Sequence, residues 1–284
     1  MSECELPFTC ELCNKNFECK IDHHKHNKWA ISNRMSRIGQ KIVVMSNKGG
    51  VGKSTVTTNL GVSLVELGYK VGIADADIHG PNIPKMLGVE GSRLKSNKQG
   101  IEPLSINGNL KVVSIAFLIE KPDEPVAWRD TAKYDFLCEL VGSINWGELD
   151  YLLVDLPPGT GNEPITLIEL LGKIDGAIIV TTPQDVALLD AQKAILFARD
   201  NDIRILGVVE NMSILACPHC NKEIDVFKSG GGEKIAGKMS VPFLGRIPLD
   251  PVITNSCDEG KAFTTLNGDS AHSLVFKEIA EKIV

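Results

Sequence analysis

Seven short runs of β-branched and aliphatic residues recur along the chain, at 41–46, 70–75, 111–115, 151–155, 177–181, 204–210 and 243–247. Each is apolar at nearly every position. A strand with one face in water would alternate, so these runs predict strands buried on both faces. The stretches between them carry apolar residues at helical spacing, most clearly at 53–67, 133–141, 163–171, 186–198 and 270–283. Strand alternating with helix predicts an α/β fold: a mostly parallel sheet, helices on both faces, right-handed crossovers, and ligands at the carboxyl ends of the strands. The polar, glycine-rich stretch 88–108 reads as loop. Residues 1–36 differ, with Cys4, Cys10, Cys13 and Cys19 followed by a polar, His-rich stretch and too little apolar content for a core of their own. Two units are therefore expected: a Cys-rich extension over 1–36 and a nucleotide-binding domain over 37–284.

Composition narrows the class. The 284 residues, 43% of them hydrophobic and 23% charged, suit a globular domain with a substantial core. A formal charge of −6 argues against a nucleic-acid partner. No apolar run nears the roughly 18 to 20 residues that span a bilayer, and the opening segment is polar and acidic, so a cytoplasmic location without membrane contact is expected. Reducing conditions would keep the eight cysteines as thiols, and clustered thiols then read first as metal ligands or redox groups.

The strongest local signal is Ser46-Asn-Lys-Gly-Gly-Val-Gly-Lys-Ser-Thr55, placed after a strand and opening a helix. Gly49, Gly50, Val51 and Gly52 supply backbone amides that close around phosphate oxygens, and Lys53 reaches the β- and γ-phosphates. Ser54 ligates Mg2+, and Thr55 continues into the helix, whose N-terminus adds positive potential. The loop therefore binds a nucleotide, ATP with Mg2+. Asn47 replaces the first glycine of G-x-x-x-x-G-K-S/T, and asparagine tolerates the left-handed backbone that slot uses. Three strand-terminal carboxylates would face the same crevice. Asp77 is assigned to the attacking water and Asp155 to the metal shell, with Asp75 in support, since phosphoryl transfer needs mainly positioning and charge neutralisation.

Cys217-Pro-His-Cys220 offers two thiolates suited to one tetrahedral centre, but a sulfur-only site needs four. Three readings compete: a zinc or cluster site shared across a homodimer, a dithiol redox pair, and inert cysteines. The head carries C-x5-C-x2-C-x5-C, a full ligand set that fits a 4Fe-4S cluster or zinc. Its rival is a zinc finger using Cys10, Cys13 and the group His23, His24 and His26, which otherwise reads as a solvated polar stretch. Cys138 reads as a buried apolar residue on a helix, and Cys257 as a thiol in a polar loop.

Lys48 adds a second lysine that resembles the deviant P-loop ATPases of the septum-positioning, chromosome-partitioning and nitrogenase iron-protein group, in which it reaches the partner subunit's nucleotide. With Asp75-Ala-Asp-Ile-His-Gly-Pro-Asn-Ile-Pro84, Val154-Asp-Leu-Pro-Pro-Gly-Thr-Gly161, Thr182-Pro-Gln184, Val209-Glu-Asn-Met-Ser213, Cys217-Pro-His-Cys220 and Gly245-Arg-Ile-Pro248, the chain from about 37 to 284 resembles the Mrp/Nbp family of iron-sulfur cluster carrier ATPases. The resemblance implies a homodimer that holds a 4Fe-4S cluster between its Cys217/Cys220 pairs and passes it to apoproteins under the control of ATP. It also implies that Asn211 reads the adenine base. The head resembles the ferredoxin-like extension of the cytosolic Nbp branch through Cys10, Cys13 and Cys19, although Cys4 lies closer to Cys10 than that pattern has it. The rivals are a positioning or partitioning ATPase and a zinc-stabilised regulatory ATPase. The first would need a basic membrane or DNA face, whereas 270–284 mixes lysines with glutamates and reads as a helix packed on the sheet, burying Leu274, Val275, Ile279 and Ile283.

Overall fold

The computed structural model describes residues 8–10, 13, 22–118, 130–217, 219–220, 222–266 and 271–284. Cys4, Cys19 and Pro218 lie outside the described residues. In chain order the elements begin with α1 (His23–Met35), β1 (Ile38–Met45), α2 (Lys53–Glu66), β2 (Val71–Asp75), α3 (Ile83–Met86), β3 (Lys95–Asn97) and β4 (Gly100–Glu102). There follow β5 (Leu104–Ser105), β6 (Leu110–Ser114), α4 (Asp130–Gly142), β7 (Leu149–Asp155), α5 (Asn162–Leu171), β8 (Gly176–Thr181) and α6 (Asp185–Asp200). The chain closes with β9 (Ile205–Glu210), β10 (Leu215–Ala216), β11 (Glu223–Ile224), α7 (Gly231–Met239), β12 (Phe243–Arg246), α8 (Pro251–Asp258), α9 (Phe263–Leu266) and α10 (Ala271–Glu281).

All seven expected strands form, within a few residues of their expected limits, in one sheet of order β12-β9-β8-β1-β7-β2-β6-β5. Every pairing is parallel except β5 on β6. Continuous apolar runs make this arrangement, because β1, β2 and β8 must be covered on both faces. One covering layer buries Ile31 of α1, Leu137 of α4, Leu167 of α5, Ile195 of α6 and Ile235 of α7. The other buries Leu60 of α2, Ile253 of α8, Phe263 of α9 and Phe276 of α10.

Several expectations change. Residues 88–108 are not all loop: β3 and β4 form a hairpin and β5 extends the sheet edge. Ile279 of α10 and Ile283 just beyond it are buried and Val275 is partly buried, but Leu274 is 45% exposed, because the helix leans on α2 and β12 with Leu274 on its outer side. Cys257 sits on α8, not in a loop, and is buried; burial pushes its thiol up against a hydrogen bond with Asn59. Cys138 is buried as expected.

The head is joined to this body. Asp22 caps α1 by accepting from the Lys25 amide at 3.2 Å, and Ala30, Ile31 and Met35 enter the main core. Thr9 is buried, with its hydroxyl 2.6 Å from that of Ser143 just beyond α4. His26, expected in solvent, is buried with Nε2 3.0 Å from the Phe8 carbonyl and its ring against Trp29. Its imidazole is occupied by packing the head rather than projecting into water.

Candidate functional site

Three strands deliver the phosphate-type loop and its carboxylates to one edge of the sheet. Parallel register sets Asp75 opposite Asp155 and Val44 opposite Asp155, so the ends of β2, β7 and β1 lie side by side. The chain leaves β1 into the loop 46–52 and enters α2 at Lys53. The left-handed turns fall at Gly50 (φ +79°) and Gly52 (φ +83°); Asn47 is not among the residues with positive φ, and its amide instead donates to Asp190 of α6 at 3.0 Å. Glycine is required at 52 twice over: its φ is left-handed, and a Cβ there would stand 2.1 Å from Asn211 Nδ2. Gly52→Ala is therefore expected to lower stability by about 1–2 kcal/mol from backbone strain alone. Denaturant titration checks this, and an unchanged midpoint would contradict the loop geometry.

Asp155, fully buried, is the centre of the site. Its Oδ2 lies 2.6 Å from Ser54 Oγ and 2.9 Å from Lys53 Nζ, and its Oδ1 accepts from Thr57 Oγ1 at 2.8 Å. One turn of α2 separates Ser54 from Thr57, so both hydroxyls face β7. Lys53 Nζ is itself buried, 4.0 Å from Asp77, and makes no well-aligned hydrogen bond among the described residues. A buried ammonium in that state has protons left for further acceptors such as phosphate oxygens.

Asp75 is also fully buried and accepts from Ser114 Oγ at 3.0 Å and from the amides of Asp77 and Ile83 at 3.3 Å. It thereby fixes the loop that carries Asp77. Asp77 accepts from the amides of His79 and Gly80 at 3.3 Å. Burial, reinforced by the Asp155 charge, pushes the Asp75 carboxyl up to about 8, and burial also raises Asp77. Three acids around one lysine make an excess of negative charge, and the oxygen donors are the hard kind that suit Mg2+.

The shift at Asp75 has a measurable consequence in the nucleotide-free protein. Unfolded, the group titrates near 3.8; folded, near 8. Between those values the folded chain holds the extra proton, so stability present at low pH is lost as pH rises through the window, by at most about 1.4 kcal/mol per pH unit. Asp75→Asn removes this slope. Urea midpoints taken from pH 5 to pH 8 should flatten in the variant, and parallel profiles for both proteins would refute the assignment.

A second group lies beyond the ends of β9 and β12. Asn211 Nδ2 donates to the Val51 carbonyl of the phosphate-type loop at 2.9 Å. Two residues farther on, the chain leaves the body as an exposed hairpin of β10 and β11. At its tip Cys217 is partly exposed and Cys220 exposed. The Cys217 amide donates to the Lys222 carbonyl at 2.9 Å, while the amides of His219 and Cys220 hold the Cys217 thiol below its ordinary range. Among the described residues no three His, Cys, Asp or Glu side chains converge as a metal-ligand set. In the head, Cys10 is buried and Cys13 partly exposed, joined by a 3.0 Å bond from the Cys13 amide to the Cys10 carbonyl.

Lys48 is exposed at the rim of the loop. Some participants were missed: Thr57, Ser114 and Asp190, whose hydroxyls and carboxylate carry no motif, and a cluster in which Glu163 lies 2.8 Å from Lys133 and 3.8 Å from His79. The spacing of Thr57, one helical turn after Ser54, was the only signal available for any of them.

A family model described as ParA: NUBPL iron-transfer P-loop NTPase matches residues 37–284. The iron-sulfur cluster carrier protein of Methanocaldococcus jannaschii is 46% identical over 288 residues, covering 100% of this chain and 97% of that protein. The protein of the same name from Saccharolobus solfataricus is 46% identical over 251 residues, covering 88% and 85%. Among solved structures, the nucleotide-binding protein of Archaeoglobus fulgidus in complex with ADP superposes with a TM-score of 0.75 at 38% identity, covering 87% of this chain and 95% of that one. The cell division ATPase MinD of Pyrococcus furiosus follows at 0.63 and 26%, covering 86% and 98%.

Proposed function

Since the chain belongs to the NUBPL iron-transfer family of P-loop NTPases, we propose that this nucleotide-binding ATPase carries a 4Fe-4S cluster as cargo and passes it to apoproteins. The observation that carries the reading is the accessible thiol pair Cys217/Cys220, which begins six residues beyond Asn211, itself in contact with the nucleotide loop. Two sulfurs leave a cluster two ligands short, and a second copy of the chain supplies them, so the carrier is a homodimer with the cluster at its interface.

The amides of residues 47–52 and the Lys53 ammonium would hold the phosphates, and Lys53 Nζ, ion-paired with Asp155 but without a well-aligned hydrogen bond among the described residues, has protons left for that use. Ser54 and Asp155 would hold Mg2+, with Asp75 in support; the metal, when bound, neutralises phosphate charge. Asp77, hung on the amides of His79 and Gly80, orients the attacking water. Asn211 faces the base. Lys48, exposed at the rim, reaches the nucleotide of the partner subunit. Lys48→Ala is accordingly expected to leave ATP bound but slow its hydrolysis by at least about a hundredfold. Steady-state phosphate release measures this, and unchanged turnover would remove the cross-subunit role.

Residues 1–36 are proposed as a metal-binding extension, with Cys4, Cys10, Cys13 and Cys19 around a second cluster or zinc, mounted on the 37–284 ATPase domain through α1. No helix among the described residues is long and apolar enough to cross a membrane, and the proposed location is the cytoplasm. The test of the carrier reading is anaerobic reconstitution with iron and sulfide, followed by incubation with an apo 4Fe-4S enzyme. Recovery of that enzyme's activity is expected, and a protein that takes up no labile sulfide would overturn the proposal.

A further inference from the structure

We propose that Glu210 is the positioning residue of the cysteine pair: one buried carboxylate fastens both ends of the cysteine-bearing excursion 213–230 and, through the adjoining Asn211, joins them to the nucleotide loop. The inference rests on the reading of Cys217/Cys220 as the cargo site. Glu210 ends β9 and is fully buried. Its Oε1 accepts from Ser213 Oγ at 2.7 Å, where the excursion leaves the body, and from the Gly230 amide at 3.1 Å, where it returns. Its Oε2 accepts from the Gly232 amide at 2.5 Å, at the start of α7. Arg246, its register partner on β12, supplies the balancing charge with Nε 3.0 Å away and reaches Glu233 at 3.1 Å with Nη2.

Beyond the Glu210 carboxylate, backbone bonds among the described residues hold only the outgoing stem, from the Ser213 amide to the Ile247 carbonyl and from the Leu249 amide to the Ile214 carbonyl, both at 3.1 Å. The hairpin has two residues per strand, too few to be stable alone, and its residues 222–226 are exposed. The ion pair from Lys228 to Asp185 at 2.7 Å lies in water, where such pairs contribute little. The backbone has been fitted to the carboxylate: Gly230 turns at φ +78°, and a Cβ on Gly232 would stand 2.7 Å from Glu210 Cβ. Glu210 is thus common to both stems of the loop, while its neighbour Asn211 bonds the Val51 carbonyl. A change in the nucleotide loop has a short, buried route to both stems of the excursion that carries the sulfurs.

The test reads the thiols directly, without any cluster. In the full chain, reduced and metal-free, iodoacetamide labelling of Cys217 and Cys220 is followed by mass spectrometry with and without Mg-ADP, beside an ADP titration. In the wild type, nucleotide is expected to change the labelling rate by about fivefold or more. Glu210→Gln keeps the volume but turns an amide N–H2 toward the Gly232 N–H. It should bind ADP, label faster and lose the response to nucleotide. Ser213→Ala, which removes one stem bond, should shift labelling in the same direction and decides the matter if the Gln variant does not fold. Variants that bind ADP and label as the wild type does, with the same response, overturn the proposal. A wild type that takes up no iron yet shows the Glu210-dependent response ends the carrier reading and leaves the clamp standing.

Discussion

Lys53→Ala is expected to abolish nucleotide-dependent behaviour, with ATP hydrolysis reduced by about a hundredfold to a thousandfold or more. The size follows from what the ammonium does. It sits 2.9 Å from Asp155 and 4.0 Å from Asp77, inside a crevice that also holds the buried Asp75. Without it no cation among the described residues pairs with the three acids, and removing one member of a buried ion pair costs about 3–5 kcal/mol. The same acids then repel phosphate oxygens, so binding as well as turnover suffers. Titration with ADP and measurement of phosphate release separate the two effects, and undiminished hydrolysis would mean that the site lies elsewhere.

The second large effect is at the thiols. Cys217→Ser with Cys220→Ser should eliminate transferable cluster, because hydroxyl oxygens are hard donors and iron-sulfur clusters are held by soft thiolates. The fold should be nearly unaffected, within about 0.5 kcal/mol, since Cys220 is exposed and Cys217 only partly covered. Thermal melting and sulfide content after anaerobic reconstitution report the two sides. A double variant that loads and transfers clusters as well as the wild type would remove the pair from the mechanism.

Much of this was legible along the chain for physical reasons that can be named. The central strands announce themselves because burial on both faces forces uninterrupted Val, Ile and Leu, and β1, β2, β7 and β8 sit where such runs occur. The phosphate-type loop is legible because backbone geometry restricts residue choice so tightly, as at Gly52. The less regular helices were not. Helix α7 opens on Gly231-Gly232, a pair that carries no helix signal, and a Cβ on Gly232 would meet Glu210. Helix α8 begins at a proline and is largely polar, which hid the burial of Cys257. Helix α1 is rich in His, Lys and Asn, and its few apolar residues, Ala30, Ile31 and Met35, gave no periodic signal although they reach the core. At the site, strand-terminal Asp75 and Asp155 could be placed at one edge, with Asp75 in support, but not the bonds by which each acts. Asp155 gathers Ser54, Thr57 and Lys53, whereas Asp75 ties down the loop of Asp77, a division that only the hydrogen bonds reveal.

The central claim is that the C-terminal sulfurs hold cargo only when two chains pool them. Native mass spectrometry of the anaerobically reconstituted protein, with Cys4, Cys10, Cys13 and Cys19 replaced by serine so that Cys217 and Cys220 remain beside only the buried Cys138 and Cys257, tests it most directly. The account predicts that iron and sulfide travel with a species of twice the chain mass, at one 4Fe-4S cluster per two chains. A single-chain species that retains iron at Cys217 and Cys220, with ATP present or absent, would contradict it.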